Sequence, residues 1–248
     1  VPGHRTRYRG VGGNPWVWAA AAALPVAFLA AFFVWPVTAL VARGFVVDGS
    51  WTLAGVQEVL AAPRTWRILV QTLTQAVLGT FGSVLLGVPG AYVLYRCRFP
   101  GRRLVRAVVS VPFVLPTVVV GVAFSALFAP AGLLGSLGLQ ESLAGIVAAL
   151  VFFNYSVVVR TVGALWSRLD PRAEDAARTL GAGRARVLAT VTLPALAPAI
   201  ASAAALVFLF CASAFGVVLV LGGQSYGTIE TEIWYQTTQL LDLPAAAA

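Results

Sequence analysis

Side chains that could do chemistry are sparse in these 248 residues, and many of them gather in one stretch, Leu169–Pro194. Asp170, Glu174 and Asp175 stand there among Arg172, Arg178, Arg184 and Arg186. Carboxylates interspersed with arginines suit ion pairing and contact with a partner rather than bond making. A general-base pair or a metal centre would draw on histidine, and the only one is His4, in the N-terminal tail. Cys97 lies in an Arg-rich loop and Cys211 in an apolar run, so the two cysteines give neither a disulfide framework nor metal-ligand spacing. No catalytic residue, no metal ligand and no cofactor bound by this chain is assigned.

Spacing turns that stretch into local structure. Asp170 can cap a helix whose first residue is Pro171. Glu174 and Asp175 then put negative charge in the early turns, and Glu174 with Arg178 forms an i, i+4 pair. Gly181 is a natural C-terminal stop. The pattern predicts a short amphipathic helix over 171–180, a tight turn, and a second short helix over 183–190. Leu193-Pro194 returns the chain to an apolar run. On these grounds alone, a solvated connector and a docking element are both open.

The elements that must hold this segment are membrane spans. The chain is 59% hydrophobic and 10% charged, with a mean hydropathy of +0.87. A soluble domain carries about 25% charged residues, so this chain lacks the side chains to cover itself in water. About 20 apolar residues cross a bilayer as a helix. Five runs qualify: Trp16–Ala42, Ile68–Tyr95, Ala107–Ala129, Leu143–Trp166 and Leu193–Leu221. The predicted class is all-α, a polytopic transmembrane bundle. Interior Pro112, Pro116, Gly121, Pro194 and Pro198 are tolerated where neighbouring helices satisfy freed backbone groups.

All 17 basic residues are arginine, giving a net charge of +8. They sit in the tail (Arg5, Arg7, Arg9), after the second run (Arg96 to Arg106) and from the end of the fourth run to the fifth (Arg160 to Arg186). The other side holds only Arg43, Arg64 and Arg67. The asymmetry reads as a cytoplasmic N-terminus in a plasma membrane and argues against nucleic acid as the partner. An odd span count, with Pro244–Ala248 resembling the start of another apolar run, predicts a sixth span beyond this sequence.

The 168–194 segment resembles the EAA signature of ATP-binding-cassette (ABC) importer permeases. Asp175-Ala176-Ala177 is followed by three residues, Gly181, nine residues, and Val191-Thr192-Leu193-Pro194. Asp replaces the first Glu, and Val replaces Ile. Arg98–Arg102, Val151–Tyr155, Phe215–Gly223 and Thr228–Ile233 look like the iron(III)- and thiamine-type subgroup, and this chain is similar to its first half. The resemblance implies a type I importer fold, with a cytoplasmic tail at 1–15 and the ABC transmembrane domain over 16–248, incomplete at its C-terminus.

It also implies roles. Glu174, Asp175, Ala176, Ala177, Arg178, Gly181, Leu193 and Pro194 would couple to a separate cytoplasmic ATPase dimer that binds the ATP. A Walker A loop needs Lys and this chain has none, so the chain is not read as an enzyme. A second permease half, fused or separate, membrane lipid and an extracytoplasmic solute-binding protein complete the assembly. Binding-protein docking is expected on 44–66 and 222–243, through Glu230, Glu232, Trp234 and Tyr235. Asn154, Gln71 and Gln75 are candidates to line the path, with interhelical hydrogen bonding as the plain alternative. Secondary transport and a non-transporting membrane subunit are the rival functions. The runs hold no carboxylate, which speaks against proton-coupled carriage.

Overall fold

The computed structural model describes residues 15–47, 50–223 and 225–247. Thirteen α-helices are formed among them. They are α1 (Pro15–Leu29), α2 (Trp35–Phe45), α3 (Ala54–Ala61), α4 (Pro63–Arg96), α5 (Arg102–Ser110), α6 (Thr117–Phe128), α7 (Leu143–Trp166), α8 (Arg172–Thr179), α9 (Arg184–Val187), α10 (Leu193–Ala212), α11 (Phe215–Leu221), α12 (Ile229–Tyr235) and α13 (Leu243–Ala247). The described residues divide into two compact units, one drawn from 15–61 and 240–247, the other from 62–239. The N-terminal tail up to residue 14, with its three arginines, lies outside the described residues.

In the first unit, α1 and α2 join through a π-helical turn, Ala30–Val34, into one candidate span, Trp16–Ala42. Pro36 supplies the cause of that wide turn. It has no N–H to donate, and its ring crowds the carbonyl four residues earlier. Side chains from 16 to 41 are exposed throughout, as suits a helix apolar on every face. A two-residue ladder pairs Val46 with Trp51 and Val47 with Ser50, and α13 packs on α2.

The second unit is built on α4, α7 and α10. Small residues bring α4 and α7 together. A Cβ on Gly82 would stand 2.7 Å from Val151, and one on Gly87 2.6 Å from Val158. Ala76, Ala91, Ile146, Ala149, Leu150, Val158, Val162, Leu196 and Val207 fill the core. The spans expected at Ile68–Tyr95 and Leu143–Trp166 are present, the first extended to Pro63–Arg96.

Two expected spans are broken. Ala107–Ala129 is not one helix: Arg102–Val114 and Thr117–Phe128 meet at 102°. Leu115, before Pro116, is extended at ψ 141°, as a residue preceding proline tends to be. Leu193–Leu221 likewise divides into α10 and α11 at Ser213-Ala214, where the Ser213 hydroxyl donates to Leu209 O at 2.8 Å. The two breaks pack on each other. A Cβ on Gly216 of α11 would lie 3.0 Å from the Val118 backbone nitrogen of α6. At its other end the span begins earlier than expected, because the short helix expected over 183–190 is not set apart from it. α9 runs through a π-turn, Leu188–Thr192, directly into α10, making one span over Arg184–Ala212. Pro194 stands where Pro36 stands relative to the first π-turn, with the same cause.

Candidate functional site

α8 begins one residue later than expected, at Arg172, and Asp170 still serves its start: the Arg172 N–H donates to the Asp170 carboxylate at 2.9 Å. The helix ends in a Schellman turn. Ala182 N–H donates to Ala177 O at 3.0 Å and Gly181 N–H to Arg178 O at 2.9 Å, with Gly181 at φ +86°. No atom lies within 4 Å of where a Cβ on Gly181 would be.

The motif residues sort by face. Glu174 points inward and is 8% exposed. Its Oε2 accepts from Arg96 at 2.8 Å, its Oε1 accepts the Thr192 hydroxyl at 3.0 Å, and Arg178 stands 3.6 Å away. Glu174 therefore ties α8 to the last residue of α4 and to the residue that opens α10. Its contacts within the chain are therefore with α4 and α10, behind the exposed face of α8. Asp175 and Ala176 are exposed, Ala177 is half-buried, and Arg178 also reaches Asp175 at 3.3 Å. Leu180 is 89% exposed beside Gly181. Leu193 is half-buried and Pro194 exposed at the start of α10.

Arg96, Thr192 and Leu180 were missed as site residues. Arg96 is separated from Glu174 by 78 positions, so no local spacing betrays the pair. Nearby arginines cap α4: Arg102 donates to Cys97 O at 2.9 Å, and Arg106 donates through Nε to Leu94 O at 2.8 Å while lying over the Tyr95 ring at 3.9 Å. Cations on terminal carbonyls are favourable at a helix C-terminus.

The path candidates occupy other places. Gln75 and Asn154 are 0% and 1% exposed, sealed between α4, α7 and α10. Gln75 donates to Cys211 O at 3.0 Å; Asn154 donates to Leu150 O at 3.0 Å and contacts Cys211 Sγ at 3.4 Å. Both belong to the helix interface in this conformation, which favours interhelical hydrogen bonding over a path lining. Gln71 accepts the Tyr226 hydroxyl on its backbone oxygen at 3.2 Å and faces Gly227 N–H at 3.5 Å.

The other end of the unit holds the docking candidates. Thr228 and Thr231 form a capping box for α12, and Ile229 N–H donates to Thr72 of α4 at 3.2 Å. Glu232 pairs with Arg64 at 2.8 Å, and Arg64 also lies 5.5 Å from the Tyr235 ring centroid. Trp234 rests 6.4 Å from the Phe215 ring, and one Glu230 oxygen is buried without a hydrogen-bond partner. Glu232 and Tyr235 are thus engaged with α4, while half-exposed faces of Trp234 and Tyr235 remain open. Among the described residues, no group of three or more His, Cys, Asp or Glu is placed to hold a metal ion.

The family model described as binding-protein-dependent transport system inner membrane component matches residues 79–248. The chain belongs to this family. The sulfate transport system permease protein CysT of Escherichia coli (strain K12) is 33% identical over 229 residues, spanning 89% of this chain and 81% of that protein. PhnU of Salmonella typhimurium, a permease protein named for 2-aminoethylphosphonate transport, is 29% identical over 224 residues, spanning 85% and 78%. The crystal structure of a bacterial ABC transporter involved in the import of the acidic polysaccharide alginate superposes with a TM-score of 0.78 at 16% identity, covering 94% of this chain and 87% of that one. As a member of this family the chain is a permease subunit of an ABC importer and a multi-pass membrane protein, on an all-helical importer fold. The iron(III)- and thiamine-type likeness finds no support in relatives named for sulfate and a phosphonate. One of the motifs behind it, Arg98–Arg102, is a structural turn, with Gly101 at φ +78° and Arg102 capping α4. Such a turn reports the scaffold and not the cargo.

Proposed function

We propose that this permease passes a small tetrahedral oxyanion, delivered by an extracytoplasmic binding protein, and is driven by separate ATPases that dock on α8 at the arginine-rich, cytoplasmic end. The observation that carries the coupling reading is the division of α8 into two faces. Glu174 fastens it to α4 and α10, while Asp175, Ala176 and Leu180 are exposed beside an open turn. An element that transmits force must grip both bodies, and an exposed Leu beside small residues offers the second grip. The names of the relatives support the oxyanion class, as does the chain's net charge of +8.

The test is reconstitution. The chain, produced with its cognate permease partner, ATPase and binding protein, is placed in proteoliposomes, and ATP-dependent uptake of labelled sulfate and of 2-aminoethylphosphonate is measured. Co-purification with the ATPase and uptake of either anion are expected. Co-purification with uptake of neither would overturn the substrate class alone. Absence of any ATPase in the purified complex would overturn the docking assignment.

A further inference from the structure

Arg160 stands on α7 six residues before its end at Trp166, about 9 Å along the helix. An ionisable side chain inside a span is costly and marks a functional position. Arg160 is exposed, and none of the ion pairs found among the described residues includes it. The described acidic residues lie in α3, the loops, α8, α12 and the segment before α13, none of them in α4, α7 or α10. Among the described residues no carboxylate therefore pairs with this guanidinium, which is free to snorkel toward the helix end or to receive an anion from outside.

It lines an open cavity of about 430 Å³. Tyr95 at the end of α4 and Thr161 on α7, two residues that carry hydroxyl groups, line it as well. Phe113 from the bend between α5 and α6, Val157 and Leu206 wall it with apolar surface. A cation at the edge of partly apolar walls makes a site for a single anion, since a cleft lined by one sign of charge focuses its field. A guanidinium presents paired N–H groups matched to two oxygens of a tetrahedral anion.

We propose that Arg160 is an anion contact of the translocation path, receiving a tetrahedral oxyanion of the sulfate or phosphonate class in the cavity between α4, α7, α10 and the bend at Phe113. The assignment rests on the importer reading above and names the residue that would make it selective. A phosphate headgroup of a lipid offers the same chemistry, so the test separates the two.

The assembled complex is reconstituted in vesicles of phosphatidylcholine alone and in vesicles containing phosphatidylglycerol, and labelled sulfate uptake is followed for wild type, Arg160→Gln and Arg160→Lys. Expected is at least a tenfold loss for Arg160→Gln in both lipids, with unchanged recovery of assembled complex, and partial rescue by Arg160→Lys. Wild-type uptake by Arg160→Gln overturns the inference, as does a loss confined to phosphatidylglycerol vesicles, which would make the anion a headgroup. Should Arg160→Gln not assemble, undiminished uptake by Arg160→Lys overturns the paired contact. A wild-type complex that moves neither sulfate nor 2-aminoethylphosphonate removes the substrate reading, and this assignment with it.

Discussion

Gly181 has two reasons to be glycine, and they can be separated. Its φ of +86° disfavours any Cβ by about 1–2 kcal/mol, while the space around it is empty. Asn tolerates the left-handed region, so Gly181→Asn should keep the Schellman turn and most of the transport. Gly181→Trp should leave the chain inserted but lower uptake and ATPase association together. Full substrate-stimulated ATPase activity in Gly181→Trp would show that no partner approaches the turn. Glu174 poses the opposite case, a residue whose contacts are internal. Removing its charge leaves Arg96 short of a partner in a partly buried site, for a loss of about 1–3 kcal/mol. A double-mutant cycle of Glu174→Gln with Arg96→Gln, read as thermal stability in detergent, should return a coupling energy well above zero; strict additivity would mean that the pair contributes nothing.

At the scale of elements, the α4–α7 seam depends on what is missing from side chains. The Val158 Cβ would stand 2.6 Å from any Cβ at position 87, and both belong to packed helices that cannot yield separately. Gly87→Ala is expected to cost about 1–3 kcal/mol as overpacking, measured as a lower melting temperature of the purified permease. An unchanged value would mean that the seam is looser than this geometry. The same elements show what could be read from sequence and what could not. Span α7 was legible to the residue because its run is apolar enough over Leu143–Trp166 to cross a membrane, Asn154 and Arg160 within it notwithstanding. The breaks at 111–117 and 213–214 were not, although Pro112 and Pro116 were visible. Prolines are tolerated within α4 and α10, at Pro89 and Pro198, so their presence alone does not announce a bend. Only the partner helix, packed at Gly216 against Val118, distinguishes the two outcomes.

For the molecule as a whole, counting arginines anticipated a geometric fact within the larger unit. Arg96, Glu174 and Thr192 meet at one end, while Arg64 and Glu232 meet at the other. The helix α8 and its turn at Gly181 were legible because their spacing is local. The polar core left two readings open, because hydropathy says that Gln75 and Asn154 lie in spans but not which way they face. The route from arginine count to partner passes through long-range pairs such as 64 with 232, which a linear pattern does not encode.

The shielding of Glu174 carries a consequence for ionic strength. Dissolved electrolyte weakens attraction between charges it can surround, with a screening length of about 8 Å at 0.15 M and about 3 Å at 1 M. Asp175 and Arg178 lie open to it, at side-chain exposures of 63% and 52%, whereas Glu174 is at 11%. Raising potassium chloride from low to molar concentration should therefore loosen any ATPase held through the outer face of α8 while leaving the helix seated on α4 and α10. Protease protection of 171–183 would persist as the ATPase elutes. Simultaneous loss of both would mean that brine reaches the clamp and the hinge alike, and that the lever and its mounting are one electrostatic unit.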